Sequence, residues 1–340
     1  MEQFLASSER AATLLAGCLG KNGVLRDPEV AKDMCAQNKL PVLLAVSGRT
    51  VEAHRLLDRI KRDFMQENGD FLSFPDKEGR DRKSGSFPMS HFWSYMNVWI
   101  TIGAQKMERF DISYPAYAYC KRFYHPERQM VCVTEPFAEA TAETTVDMLS
   151  TAHLGKLALV MADLDMAKNC GEGLLKFMSA QPRNDVEILL RANATSGEII
   201  TDPPNDMQPF YSVKRDSPKQ LYFFLGYHGI FMIKLFKATK DERFLNSAKE
   251  ILDFALTCHE SMCTFSYSHK VAMAAALVAV ETKEAKYRRL AIGLGEYLVS
   301  IQDNEGFYGS KDFQPIDKYD QTAEIGIWLR EIPGELGRII

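Results

Sequence analysis

Four of the seven histidines in this 340-residue chain sit in helix-forming segments that read as the inner, buried ones. They are His91 in SHFWSYMN, His153 in ETTVDMLSTAH, His228 in QLYFFLGYHG and His269 in SYSHKVAM. An imidazole can give or take a proton near neutral pH, so histidines held away from water suit acid–base work. The same kinds of run carry carboxylates (Asp33, Asp147, Asp317, Asp320, Glu324) and phenols (Tyr95, Tyr227, Tyr267). His91, His269 and Asp320 occupy comparable places in their segments. The bland reading stands beside this one: a core histidine often only bonds a neighbouring carboxylate. Cys258, Cys263 and His269 are zinc-type ligands, but they lack a paired Cys-x-x-Cys. No Walker, Gly-x-Ser-x-Gly or dinucleotide motif is present, so no cofactor is expected.

The elements that position these residues are helical. Apolar periodicity marks helices near 3–19, 28–46, 50–66, 90–107, 112–124, 144–162, 165–180, 219–238, 242–258, 269–282, 286–301 and 318–331. Short polar turns follow the even-numbered helices. Longer links follow the odd ones and carry Asn-Gly or Pro turns with aromatic or β-branched residues: NGVLRDP, NGDFLSFPD, HPERQMVCVTEP, PRNDVEILLRANATSGEIITDPP, ESMCTFSYS and NEGFYGSKDFQP. One device is thus used six times, at the period of a supersecondary unit that buries its apolar face by stacking on neighbours. The even helices, such as VAMAAALVAV, are apolar all round and read as buried. The odd ones, such as TVEAHRLLDRIKRDF, are amphipathic and read as an outer layer.

This pattern resembles the (α/α)6 toroid shared by terpenoid cyclases, prenyltransferase β subunits, sugar epimerases and six-hairpin glycosidases. The SIQDNEGFYG and FYHPERQMVCV turns are similar to the turns of those families. The resemblance implies an all-α (α/α)6 barrel, formed as one domain over 1–340. It also implies that the N-termini of the inner helices converge at one mouth, where helix dipoles favour an anion or a developing enolate. On that reading the catalytic candidates are His91, His269, Asp320 and Asp33. The substrate-binding candidates are Tyr95, Trp93, Tyr227, His228, Tyr267, Asp147, Glu324 and Phe307. The loop FPDKEGRDRKSG reads as solvated, with the composition of a lid. In Asp163-Leu164-Asp165, Asp165 reads as a helix cap.

The expected function is a small-molecule isomerase, cyclase or lyase acting on an apolar or aromatic carbonyl or carboxylate compound, polyketide- or terpenoid-like. One alternative is a carbohydrate enzyme, either a six-hairpin glycosidase or a sugar epimerase. The other is a non-catalytic scaffold. Composition sets bounds on these: a net charge of −4 gives no basic excess for nucleic acid, and no apolar run is long enough for a bilayer. Seven dispersed cysteines fit reduced thiols and a cytoplasmic setting. The protein is expected to be a monomer or homodimer, with a small molecule as its partner and no bound metal.

Overall fold

The computed structural model describes residues 1–74, 76–309 and 313–339. In chain order the helices are α1 (Glu2–Gly17), α2 (Pro28–Ala31), α3 (Leu40–Val46), α4 (Thr50–Asp63), α5 (Phe87–His91), α6 (Tyr95–Lys106), α7 (Phe110–Lys121), α8 (Met148–Val160), α9 (Leu164–Ser179), α10 (Phe223–Thr239), α11 (Glu242–Thr257), α12 (His269–Thr282), α13 (Ala285–Ser300) and α14 (Pro315–Leu336). The residues pack as two compact units. The first comprises Met1–Arg122 and Leu298–Arg330, and the second Phe123–Tyr297 with the residues from Glu331.

In the first unit α3 packs on α4 and α6, and α6 on α7. In the second, α8 packs on α9 and α10, and α10 on α11 and α12. Burial follows the sequence pattern. Ten consecutive residues of α6 (Tyr95 to Ala104) are buried, whereas α4 buries only Ala53, Leu56, Leu57 and Ile60. Missing side chains set some of the closest approaches. A Cβ at Gly226 of α10 would lie 2.4 Å from the Lys270 carbonyl carbon, so α10 and α12 touch backbone to backbone there.

The repeated link device is visible in atomic detail. In three links of the first unit the N–H of residue x donates to the C=O of x+4, and the N–H of x+3 donates back to the C=O of x. The three x positions are Gly20, Gln66 and Asp303. In each case x+3 is a glycine at positive φ: Gly23 (φ 78°), Gly69 (φ 88°) and Gly306 (φ 107°). Each turn seats on an outer helix, Gly23 on Arg55 of α4, Gly69 on Pro115 of α7 and Gly306 on Arg10 of α1.

Two of the links in the second unit hold strands that the sequence reading left as irregular chain. β1 (Tyr124–His125), β2 (Met130–Cys132), β3 (Thr145–Asp147) and β5 (Arg191–Asn193) form one antiparallel sheet in the order β1-β2-β3-β5, and β4 (Glu187–Leu189) pairs with β6 (Ser212–Lys214). The helix expected over 144–162 therefore begins only at Met148, because Thr145 and Val146 are paired with Asn193 and Ala192. The helix expected over 28–46 also divides. Gln37 Nε2 donates to the carbonyls of Ala31 and Asp33, and Asn38 Nδ2 to that of Cys35. Side chains thus take the carbonyls that a continuous helix would have used. The segment over 90–107 divides into α5 and α6. The cap of α9 is Asp163, accepting from the Met166 N–H, in place of the expected Asp165.

Gly69→Ala tests the turn device. An added Cβ would lie 2.3 Å from the Pro115 carbonyl oxygen, at a backbone angle that disfavours any side chain. The expected loss is about 2–4 kcal/mol in urea unfolding, combining left-handed strain with overpacking. Gly48→Ala, at φ 73° with no neighbour within 4 Å, should lose only the strain part, about 1–2 kcal/mol.

Candidate functional site

Each unit holds a buried polar cluster built on its inner helices. In the first unit the centre is Lys39, just before α3. Its Nζ donates to Asp320 Oδ2 at 2.6 Å and Glu324 Oε2 at 2.5 Å, two residues one turn apart on α14. All three side chains are at most 1% exposed. The ammonium also lies 5.3 Å from the Tyr95 ring centroid and 5.9 Å from that of Trp99, and Trp328 Nε1 donates to Glu324 Oε1. Burial works against the Lys39 charge, but Asp320 and Glu324 outweigh it and hold the amine well above the ordinary lysine range. Burial, with Glu324 nearby, pushes Asp320 up from the usual carboxylate value, partly offset by Lys39.

The loops of the same unit are pinned by two further carboxylates. Lys83 donates to Asp70 Oδ1 (2.5 Å), Asn97 Oδ1 (2.6 Å) and the Phe71 carbonyl (2.9 Å). Trp93 Nε1 and the Tyr119 hydroxyl donate to Asp70 Oδ2, each at 3.1 Å. Asp33 accepts from the Cys35 N–H, the Ser84 hydroxyl and the Gly85 N–H. The loop read as a solvated lid thus carries a buried ammonium that fixes one end of it. His91 is buried, stacks on the exposed Phe87 at 5.7 Å, and has Nδ1 3.1 Å from Arg80 Nη1, whose guanidinium must be the donor. Phe307 packs on Tyr319, with Lys318 Nζ 4.2 Å from its ring centroid.

In the second unit His269 opens α12. Its Nδ1 lies 2.5 Å from the Ser266 carbonyl oxygen, which only accepts, so the proton is on Nδ1 and Nε2 carries the lone pair. Nε2 faces the Lys270 ammonium at 2.8 Å. That ammonium lies 5.1 Å from the Phe223 ring centroid and 4.8 Å from that of Tyr227. Tyr267 meets Phe223 edge-on, and His153 packs on Tyr227 at 4.8 Å.

Two other expected residues stand elsewhere in this unit. His228 is fully buried, with Nε2 2.8 Å from the Ser247 hydroxyl of α11, and burial lowers its pKa to about 3. Asp147 is also fully buried. It caps α8 by accepting from the Ser150 N–H and pairs across β3 and β5 with Arg191; burial raises its pKa and Arg191 offsets this in part.

The structure thus gathers Asp320, Glu324 and Tyr95 about Lys39, and His269, Tyr227 and Tyr267 in the cluster around Lys270. Lys39, Lys83 and Lys270 were missed. For two of them a signal existed, since Lys39 immediately precedes an apolar run and Lys270 is inside one. Lys83, in a charged stretch, gave none. Among the described residues no group of three or more His, Cys, Asp or Glu side chains could hold a metal ion.

The chain has the (α/α)6 fold, and solved structures align with it over nearly its whole length. One is a D-mannose isomerase, with a TM-score of 0.71 and 13% identity over 97% of this chain and 98% of that one. Another is a GH76 α-mannanase of Bacteroides thetaiotaomicron, with a TM-score of 0.67 and 12% identity over 99% and 96%. A third is a cellobiose 2-epimerase of Bacillus thermoamylovorans, with a TM-score of 0.65 and 11% identity over 97% and 100%. No protein-family model and no curated protein sequence matches the chain.

Two stability predictions follow from these geometries. Lys39→Met leaves two carboxylates buried without their cation and should cost about 3–5 kcal/mol. Adding Asp320→Asn and Glu324→Gln should restore most of that, as read by chemical denaturation. For His228 the folded pKa lies below the ordinary 6.5, so the unfolded chain takes up the proton first. Its contribution is full above pH 6.5 and declines as the pH falls toward 3, by at most about 1.4 kcal/mol per pH unit. In His228→Gln that part of the acid slope should be absent.

Proposed function

We propose that this protein is a carbohydrate-active enzyme, a sugar isomerase or epimerase that moves a proton at the carbon next to a carbonyl. The His269–Lys270 pair carries the proposal. An imidazole with its tautomer fixed by a backbone carbonyl turns its lone pair toward an ammonium that sits among Phe223 and Tyr227. Base and cation side by side are what carbon-acid chemistry needs. In this reading the carbonyl oxygen of an open-chain sugar draws the Lys270 ammonium to itself. Nε2 of His269 then takes the α-proton, and the ammonium balances the enediolate. Return of the proton to the neighbouring carbon, as the C2 hydroxyl proton passes to O1, gives isomerisation; return to C2 after the enediolate has turned its other face to the imidazole gives epimerisation. In the same reading Tyr227, whose ring lies 4.8 Å from the Lys270 ammonium, hydrogen-bonds a substrate oxygen.

The fold likeness to a D-mannose isomerase and a cellobiose 2-epimerase supports sugars over the apolar polyketide- or terpenoid-like compounds expected from aromatic residues alone. The likeness to a mannanase keeps a hydrolase in view. Against it, the buried carboxylates of the first unit are engaged internally. Asp320 and Glu324 share one ammonium, and Asp33 and Asp70 each accept several donors. A glycosidase needs a carboxyl pair flanking the scissile bond.

The test is incubation with D-mannose and with cellobiose in D2O, following loss of the C2 proton by NMR. Wild type is expected to exchange it, and His269→Asn and Lys270→Met should each slow exchange by about 10²-fold or more while keeping the wild-type melting temperature. Exchange at equal rates in all three proteins would overturn the assignment. Release of reducing ends from an α-1,6-mannan without any exchange would move the reading to a hydrolase.

A further inference from the structure

We infer that the cavity at the first link, lined by Lys21, Arg26, Glu52 and Arg55, is a site for the phosphoryl group of a phosphomonoester. The cavity measures about 180 Å³, with Ala16 and Leu19 as its apolar wall. The turn device itself gathers the charges. Gly23 seats on the Arg55 carbonyl of α4. Lys21 at the tip of the turn and Arg26 just past it thereby share one cavity with Glu52 and Arg55 of α4. The turn has no need of these cations. Its two siblings close with the same backbone hydrogen bonds, yet carry Glu67 and Asn304 where this one has Lys21, and Leu72 and Gly309 where it has Arg26.

Three cations against one carboxylate give the cavity a net charge of +2, in a chain whose net charge is −4. Among the described residues the side chains of Lys21, Arg26, Glu52 and Arg55 take part in no hydrogen bond or ion pair. Arginines at other turns close on carboxylates, Arg109 on Asp58 and Asp111, and Arg243 on Glu172 and Asp241. Like charges brought to one cavity repel, and an anion relieves that repulsion. A phosphomonoester carries about −1.5 to −2 near neutral pH, on three acceptor oxygens, which matches both the charge and the number of cations. The volume decides against a larger ligand. It falls below the roughly 300–1,000 Å³ of a pocket for a drug-sized molecule, so the cavity takes a head group and the carrier stays outside. Glu52 adds one acceptor, which suits a hydroxyl of that carrier and not the phosphoryl group.

This inference does not rest on the His269–Lys270 reading, which concerns the other unit, and its readout is binding rather than turnover. The test is calorimetric titration with inorganic phosphate and with D-mannose 6-phosphate at constant ionic strength. Wild type should bind both saturably. Arg26→Gln and Arg55→Gln should each weaken binding about five- to tenfold. Glu52→Gln should tighten inorganic phosphate, because it removes a repelling charge. Tighter binding of the sugar phosphate would show that a carrier contributes, and equal affinities that the phosphoryl group alone is read; both results support the site. The exposed Arg62→Gln, further along α4, should bind as wild type does. No binding of either ligand by wild type would overturn the inference. Unchanged affinity in both Arg26→Gln and Arg55→Gln, or an equal loss in Arg62→Gln, would overturn it as well.

Discussion

A lysine ammonium enclosed by two carboxylates and two aromatic rings, all but closed off from solvent, is the constraint around which the first unit is arranged. Such a charge is tolerable only if its partners are held at fixed places. Lys39 comes from the segment where a helix is interrupted, and Asp320 and Glu324 come from α14, more than 280 residues later. The interruption itself is built from polar side chains, Gln37 and Asn38, that satisfy carbonyls locally and let Lys39 start a new helix. The electrostatic need and the local backbone geometry are therefore two aspects of one arrangement.

Around that cluster the chain uses one turn repeatedly. The glycine at its fourth position serves a steric purpose, since the turn can then rest directly on the backbone of an outer helix. The second unit makes the same kind of approach with the roles exchanged. There Gly173, on α9, leaves room for the Gln129 carbonyl, and Gln129 takes the positive φ. The link is what recurs, and either partner can supply the missing side chain.

Much of this was legible in the residues. All-round apolar runs marked α6, α10 and α12 because burial on every side leaves no place for charge. Asn-Gly at 22–23 and 68–69 marked the turns because few residues other than glycine accept that φ. The short strands were not legible. Three-residue segments such as Thr145–Asp147 carry no period, and only their pairing with Arg191–Asn193 fixes them. The candidate site was legible in its carboxylates and histidines but not in its cations. A lysine in sequence suggests the surface, and its burial depends on partners far along the chain, as Lys39 shows. His228 illustrates the converse: helical register put it on an inner helix, yet its ring turns to Ser247 on α11.

The Gly306 turn rests on Arg10, the Ser7 hydroxyl contacts Gln302 and Tyr308, and Ser8 donates to the Gly326 carbonyl. On the ribosome, then, α1 emerges hundreds of residues ahead of the surfaces that will cover it, whereas Phe123–Tyr297 is one uninterrupted stretch. Vectorial synthesis lets that middle stretch consolidate while α1, which can already pack on α3, still lacks the partners supplied by residues 302–326. Closure of this part of the first unit is thus a late event in synthesis, set by how far apart in the chain α1 and residues 302–326 lie.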